Sequence, residues 1–214
     1  MTQRLYDITR TMFSGMAVWP GDSAFDLRPT GSLANGDTVN MTTITFSAHT
    51  GTHVDAPYHF TEEGMTLERV DLTAYWGPAQ VVSVSKSAGS LTPDDFAGHE
   101  LGRASRLLVK SGSSAADPRV FHHDYVYPGP ELADFLGSLG IVLYGADTPS
   151  MDASDSKTLP GHHALQRNGI LILEGLDLTD VPDGLYELVA FPLKVLGGDG
   201  SPVRAVLRAF EERP

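Results

Sequence analysis

The chain has 214 residues, of which 41% are hydrophobic and 20% charged, enough for one domain with its own core and too apolar for a mainly disordered protein. Lys plus Arg number 15 against 27 Asp plus Glu, a net charge of −12, so the basic footprint of a nucleic-acid binder or an anionic-membrane binder is missing. There are no cysteines, which excludes disulfides, thiol catalysis, cysteine zinc fingers and iron–sulfur clusters together.

The first residues, Met1-Thr-Gln-Arg-Leu-Tyr-Asp-Ile8, lack the apolar core of a signal peptide. No apolar run approaches the roughly 18 residues of a membrane span. The expectation is a cytoplasmic protein, one domain over residues 1–214 with an N-terminal arm at about 1–30. In chain order, Leu5–Thr9 and Phe25–Arg28 read as short strands. Thr38–Ser47 alternates and is rich in β-branched residues, a third strand. Ala79–Ser85, Arg106–Lys110, Ile141–Gly145, Ile170–Glu174, Tyr186–Leu196 and Val203–Phe210 are further candidates. Helix signals are fewer. Thr92-Pro93-Asp94-Asp95 carries a capping Thr, a Pro at the first helical position and acidic residues near the positive end of the dipole. Pro130–Leu139 spaces Leu132, Phe135, Leu136 and Leu139 as a helix does. His162–Arg167 reads as a short helix stopped by Asn168-Gly169. Gly and Pro fall between short apolar runs, so tight turns connect many short elements. The expected fold is mixed α/β with a largely β core.

Three of the eight histidines lie in one segment, His49-Thr-Gly-Thr-His53-Val-Asp55-Ala-Pro-Tyr-His59-Phe60. Imidazole and carboxylate are the usual ligands of a divalent metal when thiols are absent. A straight strand would put His49 and His59 roughly 33 Å apart at about 3.3 Å per residue, too far to share an ion. A helix is opposed by Gly51 and Pro57. What remains is a strand running into a folded turn, with Gly51 and Pro57 letting His49, His53, Asp55 and His59 converge.

A second set is Asp147-Thr-Pro-Ser150, His162-His163 and Glu174, which ends the apolar run Ile170–Leu173. A carboxylate at the end of a buried strand is costly unless it is paired or bound to metal. His99, His122 and His123 lie in polar, loop-like stretches without a carboxylate at matching spacing and read as surface residues.

The first segment resembles the signature of the metal-dependent cyclase superfamily of hydrolases. Trp19-Pro20-Gly21-Asp22, the stretch from Asp147 to His163, Ile172-Leu-Glu174 and Gly197-Gly-Asp-Gly-Ser-Pro202 are similar to its kynurenine formamidase branch. The resemblance implies a swivelling β/β/α fold and a homodimer or larger assembly. It implies zinc, two ions per subunit, with manganese as an alternative. His49 and His53 would bind the first ion, His162 the second, and Asp55 and Glu174 both. His59 would be the proton donor and acceptor, and Trp19 would contact the substrate. Two stretches depart from the branch: Gly161, where a small side chain is expected, and Phe121–Pro130, which bears on substrate access.

The implied reaction is hydrolysis of N-formyl-L-kynurenine to kynurenine and formate, a step of tryptophan breakdown. A zinc ion lowers the pKa of water and polarises a carbonyl, and a positioned histidine moves the proton. Trp19 offers a flat apolar face to an aryl ring. The competing readings are another hydrolase of the superfamily, such as one opening isatin, and a metal-binding or small-molecule-binding module without catalysis.

Overall fold

A computed structural model describes residues 4–210; residues 1–3 of the expected arm lie outside them. In chain order the strands are β1 (Leu5–Asp7), β2 (Asp26–Gly31), β3 (Met41–Thr45), β4 (His53–Asp55), β5 (Trp76–Ser83), β6 (Gly89–Leu91), β7 (Arg106–Lys110), β8 (Val126–Pro128), β9 (Leu143–Ala146), β10 (Leu171–Glu174), β11 (Gly184–Val189), β12 (Gly200–Pro202) and β13 (Val206–Ala209). Helices α1 (Pro130–Ser138) and α2 (Pro160–Arg167) flank β9 in sequence. The fold is mixed α/β and mostly strand, as the composition of its elements predicts.

Nine strands form one sheet in the order β1-β13-β11-β5-β7-β9-β10-β4-β12. The centre, β5-β7-β9-β10, is parallel; the flanks are antiparallel. Central parallel strands are buried on both faces, so they read as apolar runs rather than alternations. Their residues nonetheless alternate between two cores. Val81, Leu108, Leu143 and Leu173 enter one core with Val54 and Leu207. Val82, Leu107, Val109 and Ile172 enter the other, with Leu132 and Leu136 of α1 and Leu165 of α2. The first core draws residues from β4, near one end of the sheet order, and from β13, near the other. The sheet therefore curls around it, while the helices cover the opposite face.

Four expectations shift. Residues 38–47 yield only β3, which pairs with β2 as a separate ribbon and is exposed along its whole length. Its alternation marks a strand but no buried face. Residues 186–196 end as a strand at Val189; Pro192 follows, and Phe191, Leu193, Val195 and Leu196 are exposed. A proline cannot donate to a ladder, which suits an irregular segment. The Thr92 signal is real, with Thr92 and Asp95 forming a reciprocal capping box, but it opens a single 3-10 turn, Pro93–Phe96. Helix α2 starts two residues earlier than expected, at Pro160.

Candidate metal centre

Asp55 and His53 sit on β4, two residues apart and therefore on the same face. Antiparallel pairing with β10 sets Glu174 opposite His53. Gly51, with φ of +69°, makes the turn that brings His49 back over β4, and Pro57 opens the 3-10 turn that carries His59. His162 comes from the first turn of α2. Five elements thus converge on Asp55, as the folded-turn reading of residues 49–59 requires.

The nitrogens and oxygens divide into two sets. Asp55 Oδ1 faces His49 Nδ1 at 2.8 Å and His53 Nε2 at 3.5 Å, and Glu174 Oε2 lies 3.2 Å from His53 Nε2. On the other side, His162 Nε2 lies 3.6 Å from Asp55 Oδ2 and 3.6 Å from Glu174 Oε1. Each carboxylate offers one oxygen to each set. Two donors about 2.1 Å from one tetrahedral ion stand roughly 3.4 Å apart, close to most of these separations. Glu174 Oε1 is buried without a hydrogen-bond partner, a costly state that a cation would relieve. His53, Asp55, His162 and Glu174 are all buried. These residues could hold a divalent metal, and Asp55 and Glu174 each face both sets.

Neighbouring acceptors fix which ring nitrogen points inward. His53 Nδ1 donates to Gly51 O at 3.0 Å, leaving Nε2 for the carboxylates. His162 Nδ1 lies 2.6 Å from Asp152 Oδ2, and Asp152 also accepts from the backbone N–H groups of Gly161 and His162 at the start of α2. A carboxylate–histidine pairing of this kind orients the ring and raises the basicity of its other nitrogen, as metal-binding histidines require. Burial alone would lower the His49 pKa, but Asp55 and then Asp199 outweigh it and raise it to about 9. Burial is likewise overcome at His162, which Asp152, Asp55 and Glu174 hold well above the usual histidine range. For Asp55 burial works upward, and the His162 and His49 hydrogen bonds still hold it well below the usual carboxylate range. His59 differs: burial lowers its pKa. Its ring lies tilted by 34° against that of His49, with centroids 3.9 Å apart, and one of its ring nitrogens falls within 4.8 Å of donor atoms of His49 and Asp55.

The centre opens into a cavity of about 580 Å³ whose wall includes Trp19, Phe121 and Tyr125, a size and character suited to a small aromatic molecule. Trp19 meets Phe121 edge to face at 5.3 Å. The cavity lies at the carboxyl ends of β7, β9 and β10, where Ser111, Asp147 and Glu174 line it, the usual place for a ligand in a parallel sheet.

The other expected residues fall differently. Asp147 lines the cavity, but its two oxygens accept from backbone and side chains of the 111–114 loop, among them Ser111 and Gly112; it shapes that loop. His163 is exposed on α2 and faces Phe60. His123 is exposed, as expected, but its exposed neighbour His122 lies on the cavity wall, as do Phe121, Asp124 and Tyr125 of the divergent 121–130 stretch. A Cβ on Gly161 would stand 2.1 Å from Met151 O, which explains why no side chain occurs there. Sequence reasoning missed Asp152 and Asp199, because their histidine partners are distant along the chain. It also missed Arg10, which lines the cavity and donates to the carbonyls of Gly175 and Asp147. The Gly-rich run around Asp199 was the one available signal.

Known proteins match at both family and fold level. The cyclase family model, described as "Putative cyclase", matches residues 6–153. Kynurenine formamidase of Salinibacter ruber is 44% identical over 206 residues, covering 95% of this chain and 97% of that protein. A solved structure described as a potential metal-dependent hydrolase with cyclase activity has a TM-score of 0.84 at 30% identity, covering 98% of this chain and 100% of the other. Isatin hydrolase A from Labrenzia aggregata has a TM-score of 0.83 at 27% identity, covering 98% of this chain and 94% of its own. Matched by the family model over more than half its length and by a formamidase over nearly all of it, the chain belongs to the cyclase family of metal-dependent hydrolases, on its kynurenine formamidase branch.

Proposed function

We propose that this chain hydrolyses N-formyl-L-kynurenine to kynurenine and formate with zinc at two positions, as a step of tryptophan breakdown. The observation that carries the reaction class is the pair of carboxylates, Asp55 and Glu174, each offering one oxygen to each of two histidine sets beside an aromatic-walled cavity. The choice of substrate rests on the formamidase relatives.

His49 and His53 on one side and His162 on the other, with Asp55 and Glu174 facing both, would hold the zinc, which would supply Lewis acidity toward the formyl oxygen and toward water. His59 stands at the cavity wall, and its lowered pKa keeps the ring neutral and able to accept a proton near neutral pH. It takes one proton from the attacking water as the new C–O bond forms. It returns that proton to the ring nitrogen substituent as the C–N bond breaks and formate leaves. Trp19 packs the aryl ring, fixing the formamide against the carboxylates.

The same reading takes residues 1–214 as one domain, supported by strands from both ends of the described chain in one sheet. It places the protein in the cytoplasm; no helix among the described residues is long and apolar enough to cross a membrane. It includes a homo-oligomer. A lone two-stranded ribbon is marginal in water, and the β2–β3 ribbon exposes Leu27, Met41 and Ile44, a surface that a second copy would cover.

Likeness to isatin hydrolase A favours a second reading, opening of a cyclic amide at the same centre. Side-by-side turnover separates them. The proposal expects kcat/KM for N-formyl-L-kynurenine to exceed that for isatin by at least tenfold; the reverse order would move the protein to the isatin reading. Trp19→Ala is expected to raise KM for the formamide with little change in kcat.

A further inference from the structure

The loop Gly197-Gly198-Asp199-Gly200 presents a single functional side chain to the metal centre. Its backbone is pinned on both sides. Ala56 N–H donates to Asp199 O at 2.8 Å, and Leu67 N–H donates to Gly198 O at 2.8 Å. The next residues, β12, pair with β4 so that Gly200 stands opposite Asp55. A Cβ on Gly200 would lie 2.6 Å from His49 Cε1, so glycine there lets the loop close onto the His49 ring. Asp199 is left with its carboxylate between two imidazoles: Oδ2 is 3.2 Å from His49 Nε2 and 3.6 Å from His59 Nδ1.

We infer that Asp199 is a positioning residue for His59: anchored by the pinned loop and the His49 hydrogen bond, its carboxylate accepts the His59 Nδ1–H and leaves Nε2 as the nitrogen that handles the substrate's proton. The inference rests on the acid–base role proposed for His59. The geometry repeats a general arrangement, in which a base is oriented by a third group on its far side. The 3.6 Å separation shortens to a hydrogen bond when substrate seats the ring; such contacts are commonly long before the complex forms. His49 already holds the carboxylate within reach, so the shift required is a few tenths of an ångström.

The test uses the full chain loaded with zinc. At saturating zinc, Asp199→Ala is expected to lower kcat by about 10- to 100-fold, with KM for N-formyl-L-kynurenine unchanged. Asp199→Asn keeps an acceptor oxygen at the same reach and recovers part of the loss. In a His59→Ala background, Asp199→Ala costs nothing further, because the group it positions is gone. Nitrogen-15 NMR of the His59 ring is expected to show the Nδ1–H tautomer in the parent protein and its loss in Asp199→Ala. An unchanged kcat in both Asp199 variants would overturn the inference. So would a loss that tracks departure of zinc, or one that adds in full to His59→Ala. If His59→Ala itself is fully active, the acid–base reading of His59 fails instead, and the two failures are told apart.

Discussion

At the scale of single residues, Asp55 is the point on which the site turns. Three histidines face its two oxygens, and buried Ile172 stands opposite it on the paired strand. Removing the carboxylate leaves His49, His53 and His162 crowded with no anion between them but Glu174. Asp55→Ala is therefore expected to lose bound metal and to drop turnover to background; a variant with full zinc content would refute the shared-ligand role. The proton inventory yields a second expectation. A histidine must be deprotonated to ligate, and without metal the His49 ring holds its proton up to about pH 9. As a ligand it would be contested by metal and proton below that value. Apparent zinc affinity, measured against a competing chelator, should rise as pH is raised from 6 to 9 and then flatten. An affinity independent of pH over that range would contradict it.

The elements set the tolerances of the site. Helix α2 delivers His162 only because its second residue has no side chain: a Cβ on Gly161 would press on Met151 O at 2.1 Å and on Pro128 O at 2.8 Å. Both neighbours are backbone and cannot rotate away. Gly161→Ala is expected to cost about 1–3 kcal/mol and to lower the Tm by several degrees. It should also weaken zinc binding by pushing His162 off the Asp152 carboxylate. A Tm equal to that of the parent would show that the helix can shift freely. Leu159, which precedes α2, already takes a left-handed backbone conformation with φ of 43°, uncommon for a leucine, so the entry to this helix has little slack.

Elements also show what the sequence makes legible. Residues 49–59 announce a convergent ligand set through residue type and through Gly51 and Pro57 alone. Parallel strands β7, β9 and β10 are visible as apolar runs because both faces are buried. The ribbon β2–β3 and the 191–196 segment mislead in opposite ways: the first alternates yet buries neither face, and the second is largely apolar yet exposed at Phe191, Leu193, Val195 and Leu196. Local pattern records side-chain chemistry, whereas burial depends on what packs there from elsewhere. For the same reason Asp152 and Asp199 escape notice. Asp152 is ten residues from His162, and Asp199 is 150 residues from His49; only the folded chain puts them within reach.

Across the whole molecule, the curled sheet divides two tasks. Its parallel centre, packed by α1 and α2, is a rigid floor whose strand ends present Ser111, Asp147 and Glu174. Its antiparallel margin, β4 with β12, carries His53, Asp55 and the Asp199 loop. The candidate metal centre spans the join between them, so a bound metal would tie the margin to the floor and should raise the Tm as free metal rises above its Kd. The measurement that bears most directly on this account is a zinc titration of the chelator-stripped protein, followed by kynurenine release from N-formyl-L-kynurenine. Activity absent at the start and rising to a plateau at two equivalents of zinc per chain is the predicted result. Full turnover by the stripped protein, or no kynurenine at any zinc level, would contradict it.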